Sequence, residues 1–170
     1  DFLPTILNTT QITQLDPANI TAFFKNIKMM YDYIIVDAQR AFNDALVAVL
    51  QNSNLILLVA TPDDLSVQKL KGCLEIFHNA NLPKEMTKLV LNRAASRGGM
   101  DWEKIKEQLD VDILARIPSD GKMVGMALNR GVPCVIDNFK SLASQAISGL
   151  AQELEKPATY PELQDLNNLQ

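Results

Sequence analysis

Four apolar runs in this 170-residue chain lead into residues that could do chemistry. Tyr33-Ile34-Ile35-Val36 runs straight into Asp37, and Leu55-Ile56-Leu57-Leu58-Val59 leads to Thr61-Pro62-Asp63. Leu89-Val90-Leu91 ends in Asn92-Arg93, and the weaker run Ile113-Leu114-Ala115 precedes Ile117-Pro118-Ser119-Asp120. A carboxylate fixed at the end of a buried strand can hold magnesium through water beside the phosphates of a nucleotide. The same residue type serves equally as a helix N-cap or a solvated loop aspartate. An asparagine at such a place carries two amide donors and a carbonyl acceptor, a set able to read an adenine edge, although asparagine is also a common turn residue. A guanine-reading site wants an aspartate shortly afterwards; Ala94-Ala95-Ser96 stands there instead, so guanine specificity is unsupported.

The elements that must position these residues follow from the pattern around them. Each run is continuously apolar rather than alternating, which predicts strands covered on both faces of a parallel sheet. Leu3 to Leu7 could add an edge strand, Pro4 excluding it from a central place. Helical patterns separate the runs. Asp16-Pro17 is an N-cap with proline at the first helical position, followed by Ile20, Phe23, Phe24 and Ile27. Asn43-Asp44 precedes 45–50. Asp63-Asp64 precedes Leu70, Cys73, Leu74 and Phe77, and Asp101 opens a segment with Trp102, Ile105 and Leu109. The last helix shows an apolar stripe from Phe139 and Leu142 through Ala146 and Leu150 to Leu154. Strand–helix alternation of this kind predicts an α/β domain, a doubly wound and mostly parallel sheet with helices on both faces. Ligands of such sheets bind at the carboxyl ends of the strands, where the four candidate segments lie.

Composition limits the function. Hydrophobic residues at 47% and charged residues at 21%, with seven glycines and eight prolines, describe one ordinary globular domain. No apolar run reaches the roughly 18 residues of a membrane span. The formal net charge of −4 argues against a nucleic-acid partner. Cys73 and Cys134 have no companion ligands and read as reduced thiols of a cytoplasmic protein. His78 suits the carboxyl end of a helix, Trp102 reads as packing, and Cys134 has no evident activating base.

The specific signal is the order of the segments. Tyr31-Asp32-Tyr33-Ile34-Ile35-Val36-Asp37, Val59-Ala60-Thr61-Pro62-Asp63 and Leu89-Val90-Leu91-Asn92-Arg93 come in that sequence. Ile117-Pro118-Ser119-Asp120 then follows, with Val124, Ala127, Asn129, Gly131, Val132 and Pro133. Together they resemble the MinD/ParA family of deviant Walker-type ATPases, from about Asp32 to Leu154. The resemblance implies a P-loop NTPase fold with ATP and magnesium as cofactors. In it Asp37 is the catalytic residue, helping to position magnesium, through water, and the attacking water at the γ-phosphate. Asn92 and Arg93 lie on the adenine, the loop of Ile117, Pro118, Ser119 and Asp120 closes over base and ribose, and Thr61 and Pro62 support the site. It further implies a homodimer that ATP favours and that recruits a protein partner.

Two features depart from the family. Its phosphate loop is a glycine-rich turn ending in Lys-Thr or Lys-Ser, because a triphosphate needs backbone amides and lysine around its charge. Here the one Gly-Lys pair is Gly121-Lys122, followed by Met123. Residues 1–156 are therefore expected to be the C-terminal portion of the ATPase domain, the phosphate loop lying before Asp1 or on another chain, and this chain alone is expected to be inactive. Residues 157–170 are expected to be an acidic, loosely ordered tail. The second departure is Asp37-Ala38-Gln39-Arg40, with Gln39 where the family usually has proline. That puts conventional hydrolysis in doubt and motivates an alternative, a non-catalytic localisation or scaffold module on the same fold. The tail has Glu162 and Asp165 and no lysine or arginine beyond Lys156, so no direct membrane anchor is seen. What remains resembles the pilus-assembly branch (CpaE/TadZ-like), implying a cytoplasmic positioning factor recruited to the inner face of the membrane by a partner from a surface-assembly machinery. A phosphoreceiver domain, which could use Asp37 as acceptor, lacks its lysine at a later strand end.

Overall fold

The computed structural model describes residues 2–3, 16–38, 42–96 and 98–160, which fall into two compact units, Asp1–Ser53 and Asn54–Gln170. Residues 4–7 of the expected edge strand, Gln39 and Arg40, and residues 161–170 of the expected tail lie outside the described residues.

The first unit holds helices α1 (Pro17–Ile27) and α2 (Asp44–Gln51). Both start where the sequence predicts. The Asp16 carboxylate accepts the Ala18 N–H at 2.9 Å and the Asn43 amide oxygen accepts the Leu46 N–H at 2.9 Å. Each cap satisfies a donor that the first helical turn would otherwise leave unpaired. Ile20, Phe24 and Ala48 are buried between the helices, with Ile27, Ile34, Ala45 and Val49 packed around them.

The expected strand Tyr33–Val36 does not form. The segment belongs to no described strand, and its side chains divide, Ile34 entering the α1–α2 core while Ile35 is 92% exposed. The apolar run gives β-propensity, but a strand also needs a neighbour to accept and donate its ladder hydrogen bonds, and no described residue supplies one.

The second unit is built on a parallel three-stranded sheet in the order β1 (Ile56–Ala60), β2 (Thr87–Asn92), β3 (Ile113–Ile117). Helix α3 (Asp64–Asn79) connects β1 to β2, and α4 (Trp102–Leu109) connects β2 to β3. Ala60 from β1, Leu89 and Leu91 from β2, Val67 and Leu70 from α3 and Ile105 and Leu109 from α4 form the core, with Leu58 and Ile113 packed against it. These strand residues alternate, so α3 and α4 cover one face of the sheet. After β3 come α5 (Gly121–Arg130), the short α6 (Cys134–Asp137) and α7 (Leu142–Leu154), which packs on β3.

The β2 run is covered on both faces as predicted, Val90 being as buried as its neighbours. β1 is not. It is an edge strand of the described sheet, and Val59, on the face opposite the core, is 65% exposed. The last helix also differs from its predicted stripe. It starts at Leu142 rather than Phe139, and both residues face solvent. Its fully buried polar residue, Ser144, is satisfied, donating to the Cys134 carbonyl at 2.9 Å and accepting the Ser141 hydroxyl at 2.9 Å. Pro157–Thr159 form a 3-10 turn back onto α7, where Thr159 donates to the Glu153 carbonyl at 2.7 Å and Tyr160 to the Leu154 carbonyl at 2.8 Å.

Candidate functional site

Parallel strands in adjacent register bring their carboxyl ends to one edge of the sheet. Ala60 pairs with Leu91, and Asn92 with Ile117, so the segments following β1, β2 and β3 emerge side by side. That edge gathers Thr61-Pro62-Asp63, Asn92-Arg93 and Ile117-Pro118-Ser119-Asp120. Asp37 belongs to the first unit, where it is exposed.

At the end of β1 the residues are organised around a helix start. Asp63 is the N-cap of α3, its carboxylate accepting the Ser66 N–H at 2.9 Å, the Ser66 hydroxyl at 3.0 Å and the Thr61 hydroxyl. The Thr61 hydroxyl, then the Ser66 backbone and side chain, hold the Asp63 carboxyl below its ordinary range. This carboxylate is fully engaged in capping, and Thr61 is engaged with it.

At the end of β2 the backbone turns sharply. Asn92 is the last strand residue and Arg93 adopts a left-handed conformation, φ 57°, unusual for a residue with a side chain. The Arg93 N–H donates to the Asn92 Oδ1 at 3.0 Å. Because that N–H can only donate, the side-chain atom facing it is the oxygen, which leaves the two Nδ2 protons as the donors Asn92 presents outward. Asn92 and Arg93 are both exposed at this edge.

The loop after β2 is tied to both neighbours. Ala94 N–H donates to the Ile117 carbonyl at 2.9 Å, extending the β2–β3 ladder past Asn92. Met100 N–H donates to the Pro62 carbonyl at 2.7 Å. Ser96 donates its hydroxyl proton to the Arg93 carbonyl at 2.6 Å and lies 3.3 Å from the Ser119 hydroxyl. The meeting of Ser96 with Ser119 has no signature in the sequence, since hydrogen bonds between separate loops leave no local pattern.

After β3, Ile117 and Pro118 are half-buried, and Asp120 is the N-cap residue of α5 without a capping hydrogen bond from its side chain. Gly98 (φ 76°) and Gly99 lie in the loop between β2 and α4, bordering with Asp63, Asp64 and Met100 a shallow concavity of about 280 Å³. A larger one, about 680 Å³, lies towards the other end of the sheet, along α4 and the starts of β2 and β3. Lys84, Lys88, Asp110 and Asp112 line it, and they compensate one another as the pairs Lys84–Asp110 and Lys88–Asp112. Hydrogen bonding from Lys88 holds the Asp112 carboxyl below its ordinary range. Trp102, expected as packing, is exposed and belongs to neither core cluster; it stacks under the exposed Arg116 guanidinium, 4.5 Å from the ring centre.

Among the described residues no cluster of three or more histidines, cysteines or acidic residues could hold a metal ion, and no helix is long and apolar enough to cross a membrane. Cys73 is half-buried, which pushes its thiol up, the opposite of an activated nucleophile. His78 lies in the last turn of α3 as expected.

No protein-family model matches the chain. It is 24% identical over 157 residues to the septum site-determining protein MinD of Bacillus subtilis, an alignment covering 90% of this chain and 58% of that protein. Among solved structures, it superposes on a ParA family ATPase from Chlorobium tepidum with TM-score 0.80 at 23% identity, covering 91% of this chain and 63% of that one. MinD from Pyrococcus horikoshii, solved in complex with Mg-ADP, gives TM-score 0.75 at 23% identity, with 90% and 62% covered. MinD in the MinC:MinD cell division protein complex of Aquifex aeolicus gives TM-score 0.72 at 27% identity, with 82% and 59% covered. The parallel sheet and its helices thus match the MinD/ParA P-loop NTPase fold, and homology to MinD is supported by the sequence match. The chain spans less than two thirds of each of these proteins.

Proposed function

We propose that this chain is the C-terminal part of an ATP-dependent, dimerising switch of MinD/ParA type that positions or assembles a cell-surface structure such as a pilus. The observation that carries the proposal is the gathering of Asn92-Arg93 and Ile117–Asp120 at one edge of a parallel sheet, in the order the family resemblance assigns to an adenine site.

The residues at that edge suit a purine. Asn92 offers its Nδ2 donors to the acceptor nitrogens of adenine, held in direction by the bond from Arg93 N–H to its oxygen. Arg93 lies with Asn92 on the adenine, Ile117 and Pro118 supply an apolar wall for the ring face, and the loop ending in Asp120 closes over base and ribose. Asp37 supports magnesium, through water, and orients the attacking water. Bound Mg-ATP supplies the reacting phosphoryl group and the cation that neutralises its charge. The phosphate-binding loop comes from outside these 170 residues, since none of the seven glycines opens a turn ending in Lys-Thr or Lys-Ser. The Mg-ADP bound to the Pyrococcus protein supports nucleotide binding, and the MinC:MinD complex of Aquifex supports a protein partner; the homodimer follows from the family resemblance. The net charge of −4 argues against a DNA-partitioning member of the family and so favours the pilus-assembly branch. Recruitment to the inner face of the membrane then runs through the protein partner.

Calorimetric titration of the full-length protein with ADP and magnesium tests this. Micromolar binding that weakens on Asn92→Ala is expected; no binding by a protein that carries a phosphate loop would sink the nucleotide function. One feature favours a second reading, a non-catalytic scaffold on the same fold: the Asp37-Ala38-Gln39-Arg40 segment. Asp37→Ala separates the two, abolishing assembly in the switch and leaving it intact in the scaffold.

A further inference from the structure

We infer that Ser96 is the positioning residue of the base site, fixing the direction in which Asn92 presents its amide; this rests on the nucleotide reading above. The chain of contacts has a defined polarity. Ser96 has one hydroxyl proton, and it goes to the Arg93 carbonyl at 2.6 Å. Towards Ser119, 3.3 Å away, the Ser96 oxygen therefore accepts, and Ser119 donates. The Ser96 N–H donates to the same Arg93 carbonyl at 3.0 Å, so that oxygen is held twice by one residue.

The Arg93 peptide has reason to need holding. Its φ of 57° is a conformation that residues with a Cβ rarely keep without support. That conformation aims the Arg93 N–H at Asn92 Oδ1, and the bond formed there turns the Asn92 Nδ2 outward. Without the Ser96 hydroxyl the Arg93 carbonyl keeps only the Ser96 N–H, a weaker hold on the left-handed turn that aims the Arg93 N–H at the Asn92 amide. Ser119 joins this loop to the one after β3, so the two loops that would flank the base are linked by a pair of hydroxyls as well as by the Ala94–Ile117 backbone bond.

The test uses the full-length protein and two ligands, ADP and inorganic tripolyphosphate, the second sharing the phosphates and lacking the base. Ser96→Ala should weaken ADP about 3- to 10-fold, the range of one hydrogen bond, and leave tripolyphosphate binding unchanged. Ser96→Thr, which keeps the hydroxyl, should restore ADP affinity. Ser119→Ala, which removes only the link between loops, should weaken ADP by about twofold and serves if Ser96→Ala does not fold. Wild-type ADP affinity in Ser96→Ala, with Asn92→Ala weakened, would overturn the role of Ser96 and leave the site standing. Equal loss of both ligands would also overturn it, showing general loosening. Absence of ADP binding in the wild type would overturn both the site and this inference.

Discussion

Gly99 lies so close to Pro62 that a Cβ on it would meet the proline Cγ at 3.1 Å and the proline carbonyl oxygen at 3.2 Å. The same carbonyl accepts the Met100 N–H at 2.7 Å, so the loop after β2 is pressed onto the segment after β1 along a seam of backbone.

Gly99→Ala should therefore cost stability, about 1–2 kcal/mol, because backbone atoms on both sides must move to admit a methyl group. Gly72 supplies the contrast. It lies within α3, where a Cβ would have open space for 4 Å around it, and Gly72→Ala should stabilise by about 0.5–1 kcal/mol through helix propensity. Urea midpoints of the two variants should move in opposite directions.

The Asp63 cap makes α3 sensitive to acid. Its carboxyl is depressed in the folded protein, first by the Thr61 hydroxyl and then by Ser66, from an ordinary value of 3.8. A depressed carboxylate contributes stability that is fully present above its unfolded pKa and is lost as pH falls through the folded one. The contribution should thus be intact above about pH 5 and disappear on acidification below 3.8. Thr61→Val removes the leading cause, so the Asp63 side-chain carboxyl, followed by NMR, should titrate at higher pH than in the wild type.

Much of this organisation can be read from residue order, and what cannot has physical reasons. β2 and β3 follow from apolar runs, and α1, α2 and α3 from Asp16, Asn43 and Asp63, whose side chains make the capping bonds. Helix α5 escapes the pattern because Gly121 and Gly125 lower its helix propensity; the signal available is Gly131, left-handed at φ 65° as its C-terminal cap. Tyr33–Val36 reads as a strand because propensity is local and pairing is not. In the candidate site, Asn92, Arg93 and Ile117–Asp120 are legible by type and order. The hydroxyls of Ser96 and Ser119, 23 positions apart, meet only because β2 and β3 are neighbours.

Ser144 tests how the last helix is anchored. It is fully buried, and its hydroxyl is donor to Cys134 and acceptor from Ser141. Ser144→Ala is nearly isosteric, yet it leaves the Ser141 hydroxyl proton without its acceptor and takes from the Cys134 carbonyl one of its two donors, the Asn138 N–H remaining. A loss of about 0.5–1.5 kcal/mol is expected from the hydrogen bonding removed, in place of the near-zero effect of a surface substitution. Chemical denaturation measures it, and Ser148→Ala on the exposed side of the same helix is the control.

Asn92→Asp separates the two jobs assigned to one side chain. A carboxylate can still accept the Arg93 N–H, so the left-handed turn and the thermal midpoint should be retained within about 2 °C, as for a substitution of under about 0.5 kcal/mol. It has no protons to give, so the donors offered to adenine vanish. An aspartate here accepts from a base edge, as guanine requires and adenine does not. ADP affinity should fall at least about tenfold, the size of a lost pair with an added repulsive acceptor, while GDP affinity holds or rises. Titration of both nucleotides against the full-length protein reads the exchange directly. If ADP binding were unchanged, Asn92 would not face the base, and the purine site at the ends of β2 and β3 would have to be abandoned.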